Sequence, residues 1–127
     1  MPVRRISPDA VPVRPMCGRT LQWLVTRDTL GANNLSMAVM RCEPGAVVRP
    51  LHAHRATEEL VYILEGQGEV WVEGEVAAVQ AGDAVLFPPD AKHMTRNTGD
   101  TTLVALAIFS PPTTPESYVL YEEEQPW

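Results

Sequence analysis

GAVVRPLHAHRATEELVYILEG (residues 45–66) and GDAVLFPPDAKHMTRN (residues 82–97) decide how this chain is read. The 127-residue chain has 3 histidines, and all of them, His52, His54 and His93, lie inside these two stretches. Residues two apart on a strand point to the same face, so His52 and His54 aim two imidazoles at one point. Glu59 opens the run Glu59–Glu65, which reads as the next strand. His93 opens another short run after a Pro88-Pro89 turn. Three neighbouring strands of a barrel would then converge four donors, His52, His54, Glu59 and His93, on one divalent transition metal ion. Neutral imidazole and ionised carboxylate are the ligating forms, and both hold near pH 7. A single histidine on a strand is more often packed or solvated than ligating. An H-x-H pair with a carboxylate and a third imidazole is a much rarer coincidence. Glu58 is acidic too, but strand parity turns it to the opposite face.

Outward from the two stretches, strands are expected over residues 20–27, 35–42, 69–73, 76–79 and 84–87, with His93–Thr98 pairing across Gly99-Asp100 with Thr101–Phe109. Gly and Pro punctuate them at roughly ten-residue intervals, and no segment holds a helical period. That pattern is an all-β sandwich or barrel. Residues 1–18 carry four prolines, at 2, 8, 12 and 15, and read as an extended arm. Residues 111–127 read as a loop or docked tail. Leu60–Leu64 and Leu103–Phe109 are apolar at nearly every position, whereas a sheet with one wet face should alternate. Both faces of those strands are therefore expected to be covered, by the arm, by the tail or by a second subunit.

The two stretches resemble the two sequence motifs of the cupin superfamily. Gly45, His52, His54, Glu59 and Gly66 match the first motif, with one extra residue between Gly45 and His52. Gly82, Pro88, His93 and Asn97 match the second at the family spacing. Asp90 stands where the family usually has glycine, at a turn position where Asp tolerates positive φ better than most residues. The resemblance covers residues 45–97. It implies a double-stranded β-helix, a small jelly-roll barrel, over residues 19–110. It also implies that His52, His54, Glu59 and His93 bind the metal. Small single-domain cupins commonly pair sheet to sheet, which favours the second subunit and predicts a homodimer.

Composition bounds the rest. A 45% hydrophobic content is ordinary for one globular domain. A net charge of −6 argues against nucleic acid as a partner. No apolar run approaches membrane-spanning length. Arg4 and Arg5 precede no apolar stretch, so no secretory signal is expected. Cys17 and Cys42 are isolated, which suits a reducing, cytoplasmic setting. Arg4, Arg5, Arg14, Arg19 and Arg27 crowd the first thirty positions and Glu122–Glu124 the end, and both read as solvated tails.

Imidazole with carboxylate suits Fe, Mn, Ni, Co or Zn, one ion per chain. Open positions on such an ion point to a metal-dependent oxidoreductase, most simply a non-haem dioxygenase, acting on a small organic molecule. A Lewis-acid isomerase, cyclase, decarboxylase or lyase stays open, as does a small-molecule-binding module without turnover. Val61, Ile63, Thr95 and Asn97 share faces with the donors. Met37 or Met40, Phe87 and Trp23 are candidate pocket residues, and Arg41 and Arg96 are candidate contacts for an anionic substrate. The chain has no Ser-His-Asp set and no separate acid–base carboxylate pair, so no catalytic residue is named beyond the metal centre.

Overall fold

Apolar side chains alternate inward along most strands, and that alternation is what lets two sheets stack. The structure, a computed structural model, describes residues 1–127. Its strands are β1 (Arg14–Met16), β2 (Arg19–Val25), β3 (Ser36–Cys42), β4 (His52–His54), β5 (Glu58–Glu65), β6 (Gln67–Val72), β7 (Glu75–Gln80), β8 (Ala84–Phe87), β9 (His93–Asn97), β10 (Leu103–Ser110) and β11 (Tyr118–Leu120). A six-stranded sheet runs β1-β2-β3-β10-β5-β8 and a five-stranded sheet runs β11-β4-β9-β6-β7. Every strand pair is antiparallel. The architecture is an all-β jelly roll of two stacked sheets. The flanking segments each supply an edge strand, β1 to the larger sheet and β11 to the smaller.

Inward residues of both sheets form the core. Val61 and Ile63 of β5, Leu103 and Ala105 of β10, Met40 and Cys42 of β3, and Val70 and Val79 of the small sheet are buried together with Phe87. Gly66 closes the β5–β6 turn at φ +87, where a side chain would be strained, and an added Cβ would lie 2.8 Å from the Thr102 carbonyl oxygen. Asp90 takes the left-handed conformation the sequence asks of it, at φ 67. Its Oδ1 accepts from the Ala56 amide at 3.2 Å, tying the turn before β9 to the loop after β4.

One expectation is overturned and two are narrowed. His93–Asn97 and Leu103–Ser110 do not pair as a hairpin: β9 bonds to β4 and β6, and β10 to β3 and β5, in the other sheet. Asn97 holds that crossing, donating from Nδ2 to the Cys42 and Thr101 carbonyls and accepting from the Gly99 amide, all at 2.8 Å. A Gly-Asp turn signal is the same for a hairpin and for a sheet-to-sheet corner. Secondly, the outer faces of β5 and β10 are not equally covered. Val104, Leu106 and Ile108 are half-buried, but Leu60, Tyr62 and Leu64 stay exposed, with Leu86 of β8 beside them. Neither the arm nor the tail covers that patch. Thirdly, one short helix, α1 (Arg27–Leu30), follows β2, capped by Thr26 and Thr29 side chains and ended by Gly31. No helix is long and apolar enough to cross a membrane.

Candidate metal centre

His52 and His54 lie on β4 with the same inward parity, and His52 stands directly opposite His93, the first residue of β9. Glu59 enters from β5, in the opposing sheet. The four donors therefore come from both sheets rather than from three neighbouring strands. All four are buried. The ligand atoms of His52, His54 and His93 lie within 4.8 Å of one another. Glu59 Oε1 is 3.2 Å from His54 Nε2 and 3.2 Å from His93 Nε2. Glu58 is exposed, as parity requires.

Backbone contacts aim the rings. His52 Nδ1 donates to the Pro50 carbonyl at 2.8 Å and His93 Nδ1 to the Ala91 carbonyl at 3.1 Å. A carbonyl only accepts, so each Nδ1 carries the proton and each Nε2 presents a lone pair. His54 Nδ1 meets the Thr113 hydroxyl at 3.2 Å. His93 Nε2 and Glu59 Oε1 are buried and make no hydrogen bond. They lie 3.2 Å apart, and with the His93 proton on Nδ1 neither atom can donate to the other. Two buried acceptors face each other, an arrangement that a cation between them relieves. The residues present fit a divalent ion.

The electrostatics agree. Burial, reinforced by neighbouring His93, pushes His52 down from 6.5 to about 3, keeping it neutral. Burial alone would raise Glu59, but His54 and His93 outweigh it and hold the carboxyl below its ordinary range. Both groups are thereby kept in the forms that bind metals.

The donors stand at the wall of a cavity of about 940 Å³, which Trp23, Met40, Val61, Phe87, Thr95 and Phe109 also line. Met37, Ile63 and Asn97 do not reach it. Phe87 stacks on His93 with centroids 4.1 Å apart, and Phe109 packs edge-on to His54 at 4.9 Å. Arg41 and Arg96 are spent elsewhere: Arg41 donates to Gln22, and Arg96 pairs with Glu69 and lies over Trp127. The cavity's arginines are Arg19 and Arg27 instead. Arg19 is no part of a solvated tail; it is 8% exposed and its Nη2 donates to Tyr118 Oη at 2.8 Å. Tyr118 stacks on His52 with centroids 4.8 Å apart. Thr113, Arg19 and Tyr118 escape sequence reasoning because nothing in their local pattern marks them.

A sequence profile described as "Cupin domain" matches residues 38–109. "Polyketide synthase CurC" of Streptomyces cyaneus is 38% identical over 85 residues, covering 65% of this chain and 53% of that protein. "Protein SchB" of Streptomyces halstedii is 34% identical over 97 residues, covering 76% of this chain and 70% of that one. This chain thus aligns with about half of the first relative's length. A solved oxalate decarboxylase variant from B. subtilis superposes with a TM-score of 0.81 at 25% identity, over 95% of this chain and 33% of that one.

Proposed function

This chain belongs to the cupin family, and we propose that it is a metal-dependent enzyme acting on a mid-sized, largely apolar organic molecule that carries oxygen donors. The observation carrying this reading is the facing pair of unbonded acceptors, His93 Nε2 and Glu59 Oε1, at the wall of a cavity of about 940 Å³. Drug-sized ligands occupy cavities of roughly 300–1,000 Å³, and a dicarboxylate of six heavy atoms would leave most of this one empty. We assign His52, His54, Glu59 and His93 as the ligands of one divalent ion, drawn from Fe, Mn, Ni, Co or Zn. Such an ion supplies Lewis acidity toward a carbonyl or enolate oxygen. His52 and His93 hold their lone pairs inward through backbone acceptors. Trp23 and Phe109, 5.6 Å apart, offer an aromatic wall for a flat substrate and exclude water from it.

We take Lewis-acid chemistry (isomerase, cyclase, decarboxylase or lyase) as the first reading, since one relative is named a polyketide synthase and one solved neighbour an oxalate decarboxylase. The donor set, imidazoles with one carboxylate, equally suits the redox-active ions of a non-haem dioxygenase, and this is the second reading. Elemental analysis of the purified protein tests the shared premise. Less than about a tenth of an ion per chain after reconstitution with each of the five metals would sink both. Oxygen uptake by the iron-loaded protein with polyphenols and diketones separates them, since uptake coupled to substrate loss belongs to the dioxygenase alone.

We infer further that the exposed Leu60, Tyr62, Leu64 and Leu86 patch is covered by a second copy of the chain. Leu60 and Leu86 are direct cross-strand partners on the outer face, forming one continuous apolar strip that a two-fold axis would pair with itself. Light scattering should give twice the 14.0 kDa chain mass, and Leu60→Glu should halve it. A wild-type monomer at micromolar concentration removes the homodimer. A cytoplasmic setting is proposed on the two free thiols, Cys17 and Cys42.

A further inference from the structure

Arg19 is a buried cation that the proposed metal centre leaves unused. It opens β2 and is only 8% exposed, and no carboxylate pairs with it. Nη1 donates to the Cys17 carbonyl at 3.0 Å and to the Arg49 carbonyl at 3.2 Å, and Nη2 donates to Tyr118 Oη at 2.8 Å. A guanidinium has five N–H donors, so two are left without a protein partner. Gly18, immediately before it, packs so tightly that an added Cβ would overlap the Val47 carbonyl oxygen.

Both Arg19 and Tyr118 line the cavity, and the Tyr118 ring lies flat against His52 at an interplanar angle of 18°. The acids lining the same cavity are Glu59, committed to the imidazoles, and Asp28, on the exposed face of α1. A desolvated guanidinium without a counter-charge favours whatever anion can reach it, and its planar fork suits a two-oxygen group.

We propose that Arg19 and the Tyr118 hydroxyl form a recognition site for an ionised oxygen of the substrate, a carboxylate or an acidic enol, so that the substrate is an aromatic molecule carrying one anionic group. The proposal deepens the reading of the cavity as a substrate site and rests on it. The anionic oxygen sits at Arg19, one aromatic ring from His52, while the apolar body lies against Trp23 and Phe109. Arg19 thereby sets which end of the molecule approaches the imidazoles.

Binding of naphthoate against naphthalenemethanol, and of ionised hydroxynaphthoquinone against its neutral methyl ether, tests this by calorimetry in metal-loaded and chelator-treated protein. The wild type should prefer at least one anion over its neutral partner by about tenfold or more. Which pair shows the larger ratio identifies carboxylate or enol. Arg19→Gln should bring the ratio to near one with metal content and affinity for the neutral compound unchanged. Arg19→Lys should restore part of it, and Tyr118→Phe should lower it about threefold. An unaltered ratio in Arg19→Gln overturns the proposal, as does a ratio abolished by the chelator, which would assign the anion to the metal. Should Arg19→Gln fail to fold, Tyr118→Phe and Arg19→Lys decide, and unaltered ratios in both overturn it. A chain that binds no metal yet keeps an Arg19-dependent anion preference would sink the metal reading and leave this one standing.

Discussion

The two ends of this sandwich are built from the same strands to opposite purposes. β5 contributes Ile63 to one end, where Leu103, Val70 and Val79 close around it in the core, and Glu59 to the other, where three imidazoles face it. β3 places Cys42 in the closed end, while its Met40 belongs to the core and to the cavity wall alike. Packing that is complete needs nothing further. The donor end is held apart by polar side chains whose backbone partners aim them and whose unbonded atoms call for a cation. Along β5 the core and the cavity thus draw on separate positions, Ile63 and Glu59.

Breaking the closed end should produce the largest effect. Ile63→Ala removes a fully buried side chain and should cost about 2–5 kcal/mol, read as a lower denaturation midpoint with metal content intact. His93→Ala should do the reverse, lowering metal affinity by more than about a hundredfold while circular dichroism stays native. Unchanged metal content in that variant removes His93 from the ligand set. The pair fails as a comparison if either substitution moves both readouts together.

Acid should act on the donor end first. The folded chain keeps His52 neutral down to about pH 3, whereas unfolding returns it to its ordinary value of 6.5. The unfolded state therefore binds the extra proton, and this contribution is complete above pH 6.5 and disappears as pH falls toward 3. Metal-free protein should lose on the order of a few kcal/mol over that window, and His52→Gln should flatten the slope in equilibrium denaturation. A smaller effect sharpens the contrast: Thr113→Ala removes the hydroxyl beside His54 Nδ1 and should weaken metal retention by about tenfold with no loss of thermal stability beyond about 0.5 kcal/mol.

Much of the donor end was legible from spacing. An i, i+2 histidine pair must share a strand face, Glu59 and Glu58 must part to opposite faces, and Asp90 had to accept a turn conformation. Glycines and prolines marked the strand ends because backbone geometry there is local. Sheet membership was not legible, and the β9–β10 hairpin was misassigned for that reason. A turn signal reports that the chain reverses but not whether Asn97 will bond Cys42 across the fold.

Arg19 shows the boundary most sharply. In sequence it is one of several arginines in a basic, proline-rich stretch, and composition places such a charge in water. Its burial depends on Tyr118, 99 residues away, and on the Arg49 carbonyl. Side-chain identity and short periods are written in neighbouring residues, so the donor types, their faces and the all-β class follow from local order alone. Which cation loses its water, and which donors meet across the gap between sheets, depends on contacts formed only when distant strands close together.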